Sequence, residues 1–288
     1  MRDLVVRLLF AVVVLFSITG IVGLTSYGCF PSYQIFWWIG GASSVLGTCC
    51  IIAISFSLIR VGLLQRFLLW LIPCVVVSAS LLLCIRLSSF WPRVGPSRRH
   101  DLLQLASLIP LLTASLGFTP LLLQIYGGVG LLRQDGSAGR SGNPLVEYLV
   151  FALQLALGFL VPVIANLVIN HSFGETGFFV IFSIGCIFLG SFVLYPLAMV
   201  LMKLNAKNFL VSTLVVLLVI LGGGMALSFS GPVLTLGEMI AQTTAYFAGL
   251  IMIWLYLLAL RIHGYRTCVP QRVIRRVPRP DAVHPLDA

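Results

Sequence analysis

The sequence predicts an all-α protein, a polytopic bundle of about eight transmembrane helices, and three observations carry that reading. Of 288 residues 59% are apolar and 9% charged, whereas soluble domains carry about 25% charged residues. The mean hydropathy of the chain is +1.08. Uncharged apolar runs recur at roughly the 20-residue length that a helix needs to cross the hydrocarbon layer. Backbone groups in lipid must be paired within the segment, and the ~10-residue alternation of a membrane barrel does not occur, so the spans read as helices.

The runs are residues 8–24, 37–59, 67–85, 102–126, 145–169, 177–202, 209–229 and 239–260. The first follows Arg2 and Arg7 and resembles the start of a signal peptide, but no clear small-x-small cleavage site comes after it, and an uncleaved helix is the plainer reading. Four parts follow: four helices in residues 1–126, a Gly-rich loop at 127–144, four helices in 145–262, and a basic, Pro-rich tail at 263–288.

Orientation follows from the positive charges, because loops rich in Lys and Arg stay cytoplasmic. If every run crosses, one side collects Arg2, Arg7, Arg60, Arg66, Arg133, Arg140, Lys203, Lys207, Arg261, Arg266, Arg272, Arg275, Arg276 and Arg279, which is 14 of the 18 cations. The loops 25–36, 170–176 and 230–238 on the other side carry none. Both termini are therefore expected in the cytoplasm, and the membrane is expected to be the plasma (inner) membrane. Arg86, Arg93, Arg98 and Arg99 dissent by falling outside. A six-span arrangement, with runs three and four dipping in at Pro73, Pro110 and Pro120, would move them inside.

Aromatic residues mark the same boundaries: Tyr33, Phe36, Trp37, Trp38, Phe90 and Trp91 for the outer interface, and Trp70, Tyr126 and Tyr148 for the inner. Small residues at four-residue spacing mark helix contacts. Gly40 and Ser44, with Ser43 and Gly47, recur in the second run, and Ala241, Ala245 and Gly249 in the last. These faces suit neighbouring helices of the same chain, or a homo- or hetero-oligomer seam. Gly222 to Gly224 would loosen the seventh run.

Chemistry is sparse. Asp3, Asp101, Asp135, Glu147, Glu175, Glu238, Asp281 and Asp287 all fall in loops, tails or the first turns of spans, and His100, His171, His263 and His284 are also peripheral. Ion-coupled transporters and intramembrane aspartyl proteases need ionisable groups near mid-membrane, which this pattern does not provide. No HExxH helix occurs, and no cofactor, metal or nucleic acid is expected. The run Gly139 to Gly142, "GRSG", matches an intramembrane serine-protease motif but sits in a polar linker, so no catalytic residue is assigned. Cysteines Cys49, Cys50, Cys74, Cys84 and Cys186 lie in apolar runs and read as small hydrophobes, while Cys29 and Cys84 are an outer disulfide candidate.

The polar stretch "ANLVINHSFGETG" at residues 165–177 reads first as a turn, with Glu175 and Thr176 capping the next helix. A functional alternative joins Asn166, Asn170, His171 and Glu175 to Glu238 and Gln242 as an outward-facing polar vestibule. Asn170-His171-Ser172 is formally a glycosylation sequon, but it abuts the membrane. The tail should lie against the lipid bilayer, with Arg272, Arg275, Arg276 and Arg279 placed to meet anionic headgroups, or should serve only as an orientation signal. The function expected is a non-enzymatic structural or accessory membrane component. A permease for a neutral or weakly polar solute and an interfacial membrane enzyme are the alternatives.

Overall fold

The computed structural model describes residues 34–87, 96–127, 130–133, 144–170, 176–203 and 236–268, with the isolated positions 208, 211, 218 and 222. The expected first span, nearly all of the seventh, Cys29, the GRSG run, His171, Glu175 and the arginines of the tail from Arg272 onward lie outside the described residues.

The remaining six expected spans are all helical. They are α1 (Gln34–Leu58), α2 (Leu63–Leu87), α3 (Pro96–Gly127), α4 (Pro144–Asn170), the joined pair α5 (Thr176–Leu189) and α6 (Tyr195–Lys203), and α7 (Leu236–Ile262). Between α5 and α6 the helix widens into a π segment, Gly190–Leu194, where the Tyr195 amide donates to the Gly190 carbonyl. Pro196 follows at once and has no amide proton to donate, so a local change of register sits where the α pattern would break anyway. By contrast Pro73, Pro110 and Pro120 lie within uninterrupted helices of 25 and 32 residues. Among the described residues four helical stretches are long and apolar enough to cross a membrane: Leu63–Leu83, Ala106–Tyr126, Leu145–Val168 and Gly177–Lys203.

Burial runs from the inside outwards. From Cys49 to Leu58 no residue of α1 is more than 5% exposed, so this part of α1 is buried on every side. It packs against α7, α3 and α2, while α3 also receives α2, α4 and α5. The peripheral helices then expose their apolar faces. On α4 these are Leu145, Leu149, Leu153, Leu160, Ile164 and Val168, and on α5 they are Ile181, Ile184 and Phe188. Apolar helix faces turned outward in this way are unfavourable in water and favourable in lipid. The chain is a helical protein with an exterior suited to a membrane.

The small-residue faces meet within the chain. A Cβ on Gly47 would lie 2.6 Å from the Cα of Gly249, and one on Gly249 would lie 2.3 Å from the Ser43 carbonyl oxygen. The absence of both side chains lets α1 and α7 touch backbone to backbone, and the Gly249 amide donates to Ser43 Oγ at 2.9 Å. Lower down, Ser55 Oγ and Tyr256 Oη share a 2.6 Å hydrogen bond.

Two features depart from the sequence reading. The loop expected as a polar linker begins with a strand, β1 (Gly130–Arg133), which pairs antiparallel with β2 (Tyr265–Cys268) at the end of α7. The pair is completed by a parallel bridge between Ile59 and Leu131 and by the Arg60 amide donating to the Leu131 carbonyl at 3.3 Å. Gly264, at φ 83°, makes the turn from α7 into β2. Trp70, expected at the inner headgroup level, is enclosed by protein, 1% exposed, and donates from Nε1 to Thr113 Oγ1 at 3.0 Å. The α2–α3 contact takes it inward, whereas Tyr126 stays exposed and stacks at an angle with Tyr148.

Gly47→Val and Gly249→Val should each lower stability by about 1–3 kcal/mol through overpacking. Gly185→Ala, where an added Cβ meets nothing within 4 Å, should be neutral or slightly stabilising. Unfolding of the three variants in detergent micelles measures this, and equal effects at all three positions would contradict the close α1–α7 contact.

Candidate functional site

Polar side chains inside this bundle gather on the faces that α2, α3, α4 and α5 turn to one another. The stripe of α4 that is buried consists of Glu147, Phe151, Gln154, Gly158, Pro162 and Asn166, at steps of three and four residues. Three of those six are polar, while the opposite face is apolar. That is the reverse of a soluble amphipathic helix.

At one end of the stripe Glu147 Oε2 accepts from Arg66 Nη1 at 3.2 Å, and the two side chains are 10% and 4% exposed. Arg66 Nη2 donates to Gln124 Oε1 at 2.8 Å, and Gln124 Nε2 donates to the Leu58 carbonyl at 3.4 Å. One guanidinium therefore joins the starts of α2 and α4 to the end of α3, and through Gln124 to the end of α1. Its third nitrogen, Nε, has no hydrogen-bond partner among the described residues. The site lies beside the small sheet, because a Cβ on Gly130 would fall 3.3 Å from Gln124 Nε2. Arg66 counted in the sequence only as an inner-side loop charge, and Glu147 only as a first-turn acid; their pairing across 81 residues has no local signal.

Further along, hydroxyl groups join helices pairwise. Thr113 Oγ1 lies 3.1 Å from Cys74 Sγ as well as accepting from Trp70. Ser115 and Ser183 Oγ atoms are 2.7 Å apart, and Thr119 Oγ1 and Ser191 Oγ are 2.6 Å apart beside the π segment. Gly190 brings that segment against α3, since a Cβ there would meet the Leu116 carbonyl oxygen at 2.2 Å. Cys49, Cys50, Cys74 and Cys186 are buried free thiols.

Gln154 differs from its neighbours. It is 0% exposed, yet neither Oε1 nor Nε2 has a hydrogen-bond partner among the described residues. Below it the Phe151 ring packs against Phe118 at 5.4 Å, and above it the Cα of Gly158 faces Pro110 and Leu111. The antiparallel register of α3 and α4 thus sets Gln154 level with Ala114 and Ser115. Burying an unsatisfied amide costs about 1–3 kcal/mol. A lone glutamine in an apolar run carries no sign of whether its amide will find a partner.

Of the residues assigned to an outward vestibule, Asn166 is buried on the α4 stripe, 1% exposed and engaged in an interaction. Asn170 is the last residue of α4, and Glu238 and Gln242 occupy the first turns of α7. Among the described residues no group of three or more His, Cys, Asp or Glu side chains could hold a metal ion. No protein-family model, curated protein or solved structure matches the chain.

Arg66→Met and Glu147→Gln should each cost about 3–5 kcal/mol, because each strands the other partner's buried polarity. The double variant should cost clearly less than the sum. Denaturant unfolding of the four proteins closes the cycle, and strict additivity would show that the two groups do not interact.

Proposed function

We propose that this chain is an eight-span protein of the plasma (inner) membrane, with both termini cytoplasmic, that works through helix contacts as a structural or accessory component rather than as an enzyme. One observation carries the reading: six of the eleven buried polar side chains among the described residues, Ser55, Arg66, Thr113, Ser115, Gln124 and Glu147, hydrogen-bond a different helix. Arg66 with Glu147 and Gln124, Ser55 with Tyr256, Thr113 with Trp70 and Cys74, Ser115 with Ser183, and Thr119 with Ser191 all act in this way. Such groups fix which helices are neighbours and leave little free for chemistry.

The directions of the helices support the span count. Contacts run antiparallel between α2 and α3 and between α3 and α4, as single crossings require. Both α6 and α7 end near the sheet, since Arg261 Nη1 at the end of α7 donates to the Leu201 carbonyl of α6 at 3.1 Å. A further crossing by the apolar run 209–229 is the reading that joins them. The sheet end also holds Arg60, Lys203, Arg261 and Arg266, and the positive-inside rule favours the cytoplasm for an end of this charge.

A permease for a neutral solute is the second reading, favoured by one observation, the unsatisfied amide of Gln154 on a polar helix stripe deep in the bundle.

In a variant without native cysteines, Ser172→Cys should react with an impermeant maleimide in intact cells and Tyr126→Cys only after permeabilisation. The reverse pattern would overturn the orientation. The tagged chain, extracted in mild detergent at its natural abundance, should co-purify with another membrane protein in fixed stoichiometry; recovery of an isolated monomer that carries glycerol or urea into proteoliposomes would instead establish the permease.

A further inference from the structure

The α4 stripe sorts its polar residues into two kinds. Glu147 is answered by Arg66, and Asn166 takes part in an interaction, but Gln154 has an acceptor and a donor that nothing among the described residues meets. Its depth makes that costly. Gln154 stands nine residues into the Leu145–Val168 span, about 14 Å from one end and about 21 Å from the other at 1.5 Å per residue. Set in a bilayer, that level is far from the headgroups of either face.

The surroundings restrict what could meet it. Around the level of Ala114 and Ser115 the neighbouring hydroxyls are already engaged, Ser115 with Ser183, Thr119 with Ser191, and Thr113 with Trp70 and Cys74. The ionised pair Arg66 and Glu147 lies two turns away and is mutually compensated. With no free charge described at its level, a charged guest would lack a counter-ion in a low-dielectric interior. The Phe118 and Phe151 rings on one side and the Gly158 contact on the other leave only a short stretch of the seam, so the guest must be small. A carboxamide offers a carbonyl oxygen beside an N–H, and its complement is a molecule that donates and accepts together.

We propose that Gln154 is an intramembrane hydrogen-bonding site for a small neutral guest with both donor and acceptor capacity: water, or an uncharged solute bearing an amide, urea or hydroxyl group. The site goes beyond the accessory role. Its solute form rests on the permease reading, whereas its water form is independent of it.

The test uses the full chain in lipid nanodiscs with glutamine side chains labelled with nitrogen-15. The Gln154 amide signal is identified by its loss in Gln154→Leu, or by its loss in Gln154→Asn should the leucine variant fail to fold. A bound water appears as magnetisation transfer between water and the Gln154 amide protons. A solute site appears as a saturable shift of that signal with acetamide, urea or glycerol, while signals from the other glutamines stay put. Either result supports the site and names its source. An amide that shows no water contact and no saturable shift at molar solute concentration overturns it. Flux of the same three solutes into proteoliposomes separates the two ideas: binding without flux above protein-free vesicles removes the permease and leaves the site standing.

Discussion

A polar group inside hydrocarbon has no water to return to, and the interior of this bundle is arranged by that constraint. Each buried hydroxyl, amide or charge has to find its partner in the protein, so partner choice becomes neighbour choice. The Arg66 guanidinium shows the effect most fully, since two of its nitrogens bring together α2, α3 and α4, and the Gln124 amide passes the link to α1. Hydrophobic contact cannot impose this order on its own, because an apolar side chain is as well solvated by lipid as by another helix.

Close packing supplies the second half of the specification. At Gly47 and Gly249 two helices approach until backbone meets backbone, and at Gly190 the widened turn of the sixth expected span rests against the Leu116 carbonyl. Dispersion contacts are gained only at short range, so the absence of a few Cβ atoms decides where α7 and the π segment can sit. The peripheral helices need no such precision on their outer faces, where Leu, Ile, Val and Phe side chains project outward.

The end bearing the sheet is tied differently. There β1 and β2 join a loop near the middle of the sequence to the residues after the last helix, and the bridge from Ile59 to Leu131 adds the first described helix to them. The short sheet pairs backbone groups that leave the helices at this end of the bundle, so they need no other partner.

How much of this was legible in advance depends on the range of the signal. Composition and run length predicted the helical class and placed the six described runs to within six residues at either end, though not the π segment that divides the run 177–202, because the length of an apolar helix is a property of one segment at a time. The spacing of Ser43, Gly47 and Gly249 likewise announced close contacts, though not that α1 and α7 would make them with each other. Tertiary structure alone decided that Arg66 leaves its loop role for an ion pair with Glu147, that Trp70 packs into the α2–α3 contact, that residues 130–133 form a strand, and that the buried Gln154 amide has no hydrogen-bond partner among the described residues. Each of those outcomes depends on which residues distant in sequence arrive at the same depth, and no window along a single helix contains that information.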